Sequence, residues 1–431
     1  MRQMKDSGVA WIGEIPEDWS IVKTKQCFDL YSGATPKTDN PSYWDGGIPW
    51  ITPADYKTED KYISFGRRNL SDSGVRSCGT TITPPNSIIF SKRAPIGLVV
   101  LSANNLCTNQ GCIACVPKNV SSLFYYYAMS VFTESYELYG SGTTFKEISA
   151  TNFANFILPL PSLNEQSRIA TFLDQKCAEI DSLISLQEEM ISELQAFKQS
   201  VITEAVTKGL DKNVKMKDSG VEWIGEIPEH WKLPQLRFVT SKIGSGSTPT
   251  GGANVYVNEG VKFLRSQNVY NEGFKLDDVA YITPETHNQM SGTKVLEGDI
   301  LFNITGGSIG RCCLVDANLG EANVNQHVSI VRPSSIYGKY LMYYLQSEAG
   351  QMQVNILQTG GNREGLSASA FSEFHICVPS PNEQHSIATY LDKKTSLIDS
   401  IIALKQQKIT ELKDYKKSII YECVTGKKEV V

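Results

Sequence analysis

Apolar residues recur at close to seven-residue spacing through two long stretches of this chain. In the first, Leu173, Ile180, Leu194 and Val201 fall on one row, with Gln187 as its polar interruption. In the second, Leu391, Ile398, Leu412 and Ile419 form the matching row, interrupted by Lys405. Ile184 and Ile191 flank the first row as Ile402 and Ile409 flank the second. Spacing of this kind predicts helices packed on helices. Ser162 with Glu165, and Ser380 with Glu383, fit the capping box, in which each side chain satisfies the other residue's backbone N–H. No proline or glycine follows until Gly209 and Gly426, where glycine suits a helix end. The first run is thus predicted as one helix of about 45 residues, roughly 65–70 Å long at 1.5 Å per residue. Two packings are open. Each helix can lie on its own globular unit, or the two can pair. Pairing is the simpler, because an isolated helix of this length cannot bury its stripe. If the two halves are related by a pseudo-twofold axis, the pair is antiparallel, and Gln187 and Lys405 limit register slippage.

The two helices are copies. Pro161–Lys176 and Pro379–Lys394 are identical at 11 of 16 positions. Ahead of each lies a region of about 160 residues with its own repeated opening. Met4–Trp19, MKDSGVAWIGEIPEDW, matches Met216–Trp231, MKDSGVEWIGEIPEHW, at 14 of 16 positions. Trp11, Ile12, Ile15 and Trp19 are expected to pin this opening to its unit's core. The organisation is therefore globular unit 1–160, helix 161–210, globular unit 211–378, helix 379–425 and tail 426–431.

Between these landmarks the copies diverge but keep step. SGATP (Ser32–Pro36) faces SGSTP (Ser245–Pro249). The apolar run Ile48–Tyr56 faces Val261–Tyr270, and Ile88–Gly97 faces Ile300–Gly310; each reads as a strand running into a polar turn. NQGCIACVP (Asn109–Pro117) faces NQHVSIVRP (Asn325–Pro333). Ser121–Phe132 and Ile336–Ser347 read as aromatic-rich short helices. Gly140–Ser149 faces Gln358–Ser367, and a last strand is expected over Phe153–Pro161 and Phe371–Pro379. Many short strands with few helices give an α+β class. The scaffold is repeated while the polar turns differ, so one frame presents two sets of turn chemistry. Loops drift faster than scaffolds in any case. Drift does not account for near-identical openings and helices, which point to a partner surface repeated twice.

Composition narrows the class. No run of eighteen apolar residues exists, so no membrane span is expected. The N-terminus has no apolar signal core, which predicts a cytoplasmic protein. A formal net charge of −5 gives no global attraction to nucleic acid, so DNA binding has to rest on local basic patches. Cys107, Cys112 and Cys115 contain a C-x-x-C step, but the repeat puts Val328 and Val331 opposite Cys112 and Cys115. These cysteines, and Cys312-Cys313, are read as small buried strand residues rather than metal ligands.

Catalytic signatures are missing. Gly244–Gly252, GSGSTPTGG, lacks the lysine of a phosphate-binding loop, and no strand runs through G-x-G-x-x-G into a helix. NPSY (Asn40–Tyr43) is superficially similar to the N-P-P-[YF] element of adenine methyltransferases. It follows a polar stretch and has no counterpart in the second unit. Asp55 with Glu59, and Glu297 with Asp299, do not recur with a lysine as nuclease carboxylates would. The chain reads as non-catalytic, with no metal site.

Two units opening with SG-V-WIGEIPE-W, each closing on P-x-P-x-x-EQ…IA-x-[FY]-LD-x-K…ID, resemble the specificity subunits of type I restriction–modification enzymes. The resemblance spans nearly the whole chain. It implies two target recognition domains on double-stranded DNA, each reading half of a bipartite asymmetric site. It implies two methylation subunits docked along the helices and openings, with restriction subunits added. S-adenosylmethionine and ATP would sit in those partners, and no cofactor in this chain. Half-sites on one face of the duplex lie about one helical turn, roughly 34 Å, or a multiple apart. A rigid helical spacer fixes such a separation. The divergent turns supply candidate readers: Thr52, Asp55, Lys92, Arg93 and Lys146 in the first unit; Arg265, Gln267, Asn268, Asn303, Thr305 and Arg363 in the second. Arg and Lys pair with guanine edges and Asn and Gln with adenine, although a polar turn residue is more often solvated or on phosphate. Two other readings remain. One is the recognition subunit of another multi-subunit restriction–modification class, such as an enzyme cutting on both sides of its site. Another is an adaptor joining two identical partners without touching DNA. A self-sufficient methyltransferase fails for want of a cofactor motif.

Overall fold

The architecture was taken from a computed structural model, which describes residues 2–93, 95–141, 146–358 and 365–430. The two heptad runs are single helices, Leu163–Lys208 of 46 residues and Pro381–Val424 of 44. Gly209 and Gly426 follow them at φ +78° and +74°, the left-handed conformation that ends a helix cheaply only with glycine. The capping box closes fully at the second helix, where Ser380 N–H donates to Glu383 Oε2 at 3.0 Å and Glu383 N–H to Ser380 Oγ at 3.4 Å. At the first helix Glu165 N–H donates to Ser162 Oγ, but the carboxylate turns to Arg2 and to the indole of Trp19.

The chain divides into two compact units. One comprises residues 1–188 with 407–431, the other residues 189–406. Each unit therefore holds the N-terminal part of one long helix and the C-terminal part of the other. In the first, Ile169, Leu173, Cys177 and Ile180 share a core with Ile419, Ile420, Cys423 and Val424, and with Ile12, Ile15 and Trp19 of the opening segment. In the second, Ile202, Ala205 and Val206 share a core with Ile387, Leu391, Ile227 and Trp231. The two packings left open by sequence are thus both present: the helices pair, and their ends also enter the globular cores. Ion pairs within each unit show their direction. Asp181 meets Lys416 and Lys198 meets Asp399, each at 2.7 Å, so 17 residues forward on one helix is 17 backward on the other, an antiparallel register. Leu412 packs against the first core and Val201 against the second, and Leu194 is half-buried. Ile398 is buried, and the interruptions Gln187 and Lys405 are half-buried.

The repeated sequence motifs explain themselves inside the fold. Trp19 Nε1 donates to Glu165 Oε2 at 2.8 Å, and Trp231 Nε1 to Glu383 Oε1 at 3.3 Å. Gln166 Oε1 accepts from Ser121 N–H and Gln384 Oε1 from Tyr337 N–H, both at 2.8 Å. Tyr127 and Tyr343 hydroxyls donate to Asp174 and Asp392. The repeated EQ and LD pairs thus tie each aromatic helix, Ser122–Ser130 or Gly338–Gln346, to the helix that follows it.

In the first unit a five-stranded sheet runs in the order Phe28–Ser32, Cys112–Pro117, Ile88–Ser91, Val99–Ser102, Tyr62–Ile63. Trp44–Ile51 lies in a second, three-stranded sheet between Cys107–Thr108 and Arg68–Leu70. The second unit repeats this with Thr240–Ser245, Val328–Pro333, Ile300–Asn303 and Cys312–Leu314 in one sheet. Val261–Leu264 lies between Ala280–Ile282 and Ala322–Val324 in the other. The last strand expected from Phe153 starts only at Ile157. Ser149 Oγ accepts from Asn152 N–H and caps a short helix over Ala150–Asn155 instead. In the second unit, Ser367 caps the equivalent helix Ala368–Ser372, and Phe371–Pro379 keeps only isolated bridges at His375 and Val378. The strand cysteines 107, 112, 115, 312 and 313 are buried and free, as read from the repeat. Burial pushes the Cys107 and Cys112 thiols up to about 12. Among the described residues no helix is long and apolar enough to cross a membrane, and no cluster of His, Cys, Asp and Glu could hold a metal.

Candidate nucleic-acid interface

In each unit four turns meet at one rim of the sheets. In the first, Asn109 N–H donates to Ile51 O, Lys92 N–H to Gly111 O and Ala34 N–H to Thr108 O, all within 3.0 Å. These bonds join the turns after Ile51, after Ser91, at Asn109–Gly111 and at Gly33–Pro36. In the second, Asn325 N–H donates to Leu264 O, Ile304 N–H to His327 O and Ser247 N–H to Val324 O. The same four turns are stitched by the same backbone positions.

The side chains on this frame fall into two groups. Some brace the turns. Asp55 Oδ2 accepts from Thr52 N–H and Thr52 Oγ1, both at 2.7 Å, and its Oδ1 from Arg67 N–H at 3.0 Å. Asn268 is the counterpart: its Oδ1 accepts from Arg265 N–H at 3.0 Å and its Nδ2 donates to Lys275 O at 2.9 Å. Asn303 is fully buried, and its Nδ2 donates to Ser266 O at 2.8 Å, holding two turns together. These residues have already spent their polar atoms on the protein, apart from Asn303 Oδ1, which is buried without a partner.

The others face solvent or border it. Lys92 Nζ lies 2.8 Å from Glu147, with Arg93 on the same carboxylate at 3.9 Å; Lys146 is exposed beside them. Arg265 Nη2 donates to Asp278 O at 2.7 Å, and Gln267 Nε2 to Asp278 Oδ2 at 2.6 Å, so one acidic residue orients both. Thr305 Oγ1 meets His327 Nδ1 at 2.7 Å. Arg363 lies outside the described residues.

Several basic and aromatic groups on the rim carry no local sequence signature. Arg67 is largely exposed, and the Arg68 guanidinium lies 3.5 Å from the ring centre of Trp44. In the second unit the Tyr270 ring carries Lys275 at 4.1 Å and Arg311 at 4.9 Å. Such cation–π pairs hold long basic side chains in place. Their partners are distant in sequence or on another strand, so no local motif reveals them. The NPSY segment is structural: Asn40 Oδ1 accepts from Ser42 N–H and caps the turn Pro41–Tyr43.

The family described as type I restriction modification DNA specificity domain matches residues 16–196 and 228–414. The specificity subunit of the type I restriction enzyme MjaIX of Methanocaldococcus jannaschii is 28% identical over 97% of this chain and 95% of its own length. That of EcoBI of Escherichia coli is 26% identical over 99% and 89%. A solved structure reported as the basis of complex assembly and conformational transition of the type I R-M system superposes with a TM-score of 0.73. It covers 95% of this chain and 98% of that one at 16% identity. The HsdS subunit from Thermoanaerobacter tengcongensis superposes at 0.52, covering 96% and 98% at 16% identity.

Proposed function

Since this chain belongs to the type I restriction–modification specificity subunits and carries two target recognition domains, we propose that each unit reads one half of a bipartite, asymmetric DNA site. The observation that carries the reading is the rim. Equivalent turns on one frame bear Thr52 and Asp55 in one unit and Arg265 and Asn268 in the other, and Lys92 and Arg93 stand where the second has Ile304 and Thr305. Different side chains on one geometry suit two different base sequences read in one manner. Arg265, Gln267, Lys92 and Arg93 are the readers we favour. Asp55, Asn268 and Asn303 hold the turns that present them.

The long helices space the two half-sites and dock two methylation subunits, which in turn recruit restriction subunits. Exposed Leu183 and Leu186 in the first unit and Phe197, Leu397 and Leu404 in the second support a docking role, since apolar side chains of that size rarely line up in water without a partner. The chain performs no chemistry of its own in this reading. S-adenosylmethionine belongs to the methylation subunits and ATP to the restriction subunits.

The test is single-molecule sequencing for N6-methyladenine in cells expressing this chain with its methylation subunit. A split motif with two short defined halves and a fixed gap is expected. An unmodified genome despite a stable complex overturns the reading in favour of an adaptor.

A further inference from the structure

One polar pair on the rim is the same in both units while its surroundings differ. Thr35 Oγ1 donates to Gln110 Oε1 in the first unit, and Thr248 Oγ1 donates to Gln326 Oε1 in the second. All four residues are exposed. Their neighbours in the two motifs are accounted for by the fold. A Cβ on Gly33 would overlap the carbonyl oxygens of Thr108 and Asn109, and one on Gly246 those of Val324 and Asn325. Pro36 and Pro249 are buried. Asn109 Oδ1 accepts from Gly111 N–H at 2.8 Å and Asn325 Oδ1 from His327 N–H at 3.1 Å, which shapes the turn. The Thr–Gln pair has no such internal duty: it joins two surface side chains in water, where a neutral hydrogen bond contributes little.

The pair does, however, orient an amide. With Oε1 held by the threonine hydroxyl, the glutamine's Nε2 donors are turned away from the threonine. Among the described residues no protein group meets Gln110 Nε2; Gln326 Nε2 has one neighbour, His327 Nε2 at 3.1 Å, leaving its second N–H. The corner sits between the reading turns in both units, since Asn109 and Asn325 bond to Ile51 and Leu264, the residues just before those turns. A group repeated in both units faces something common to both half-sites. Bases are not common to them; the sugar–phosphate backbone is. Resting on the reading that each unit binds DNA, we propose that Gln110 and Gln326, oriented by Thr35 and Thr248, each donate to a backbone phosphate oxygen and set the same register of duplex on both domains, whatever its sequence.

The test uses the complex of this chain with its methylation subunit. Two duplexes serve as probes, one carrying the motif found by methylome sequencing and one lacking it. Wild type must prefer the first; equal binding would overturn the underlying DNA-reading function and this proposal with it. Given that preference, the Thr35→Val/Gln110→Ala double variant is expected to bind both duplexes about three- to tenfold more weakly, by the same factor. The methylated motif should be unchanged. The salt dependence should also be unchanged, because a neutral donor releases no counterion. Gln110→Glu, which keeps the side-chain shape but turns a carboxylate on the phosphate, should lose more than the double variant, and Thr35→Ser should bind as wild type. A motif that becomes degenerate at one base would make Gln110 a base reader and overturn the proposal. Unaltered affinity for both duplexes would overturn it as well, as would loss of the methylation subunit on purification, which would make the corner a protein contact.

Discussion

At the scale of single residues, the rim separates side chains that make a turn from those the turn displays. Asn268 and Arg265 are three positions apart and do opposite jobs. Asn268 is buried and bonds to Arg265 N–H and Lys275 O. Its replacement by alanine orphans both groups and should cost about 1–3 kcal/mol in chemical denaturation. Arg265→Ala removes a guanidinium whose only protein partner on the described residues is Asp278. It should leave stability within about 0.5 kcal/mol and relax one base position of the second half-site. Uniform weakening across sequences would instead mark Arg265 as a phosphate contact. Composition and motif could not have drawn this distinction. An asparagine in a polar turn reads as a base reader until its partners are seen, and Asp55 was open to the same reading.

At the scale of elements, the start of the second long helix joins the helix to its own unit. Although burial pushes the Glu383 carboxyl up, hydrogen bonds from Ser380, His230 and Trp231 outweigh it and hold the group down at about 2. A carboxylate whose folded value lies below its usual range near 4.3 stabilises the fold fully above that range. The contribution is lost as pH falls from there toward 2. The stability gap between wild type and Glu383→Gln should therefore be largest at pH 7 and shrink between pH 5 and 3; a gap that does not change with pH would contradict this. The sequence predicted this cap, the helix ends at Gly209 and Gly426, and the strands around Ile88 and Ile300, because each is a local signal. It misplaced the last strand, since the N-capping by Ser149 and Ser367 makes Phe153 and Phe371 helical before the chain extends. It missed the hold of Arg2 on Glu165, a contact between residues 163 positions apart.

At the scale of the whole molecule, both helices are counted out residue by residue between the ion pairs Asp181–Lys416 and Lys198–Asp399. Four residues are just over one helical turn and add about 6 Å, so an insertion of that length returns the apolar stripe to nearly the same face. Inserting four within Ser182–Gln195 and four within Ile402–Asp414 preserves both ion pairs. Methylome sequencing should then show both half-sites intact and the gap wider by about two base pairs. Altered half-sites with an unchanged gap would refute the ruler. Sharing the helices also has a consequence for how the chain is made. Ile169 to Ile184 complete their core only with Ile419 to Val424. The first unit is thus begun first on the ribosome and finished last. At about 5–20 residues per second, the stretch between Ile184 and Ile419 takes roughly ten to fifty seconds to emerge. Throughout that interval the apolar stripe of the first helix has Ile12, Ile15 and Trp19 of the opening segment to pack on, while its helical complement has yet to be translated.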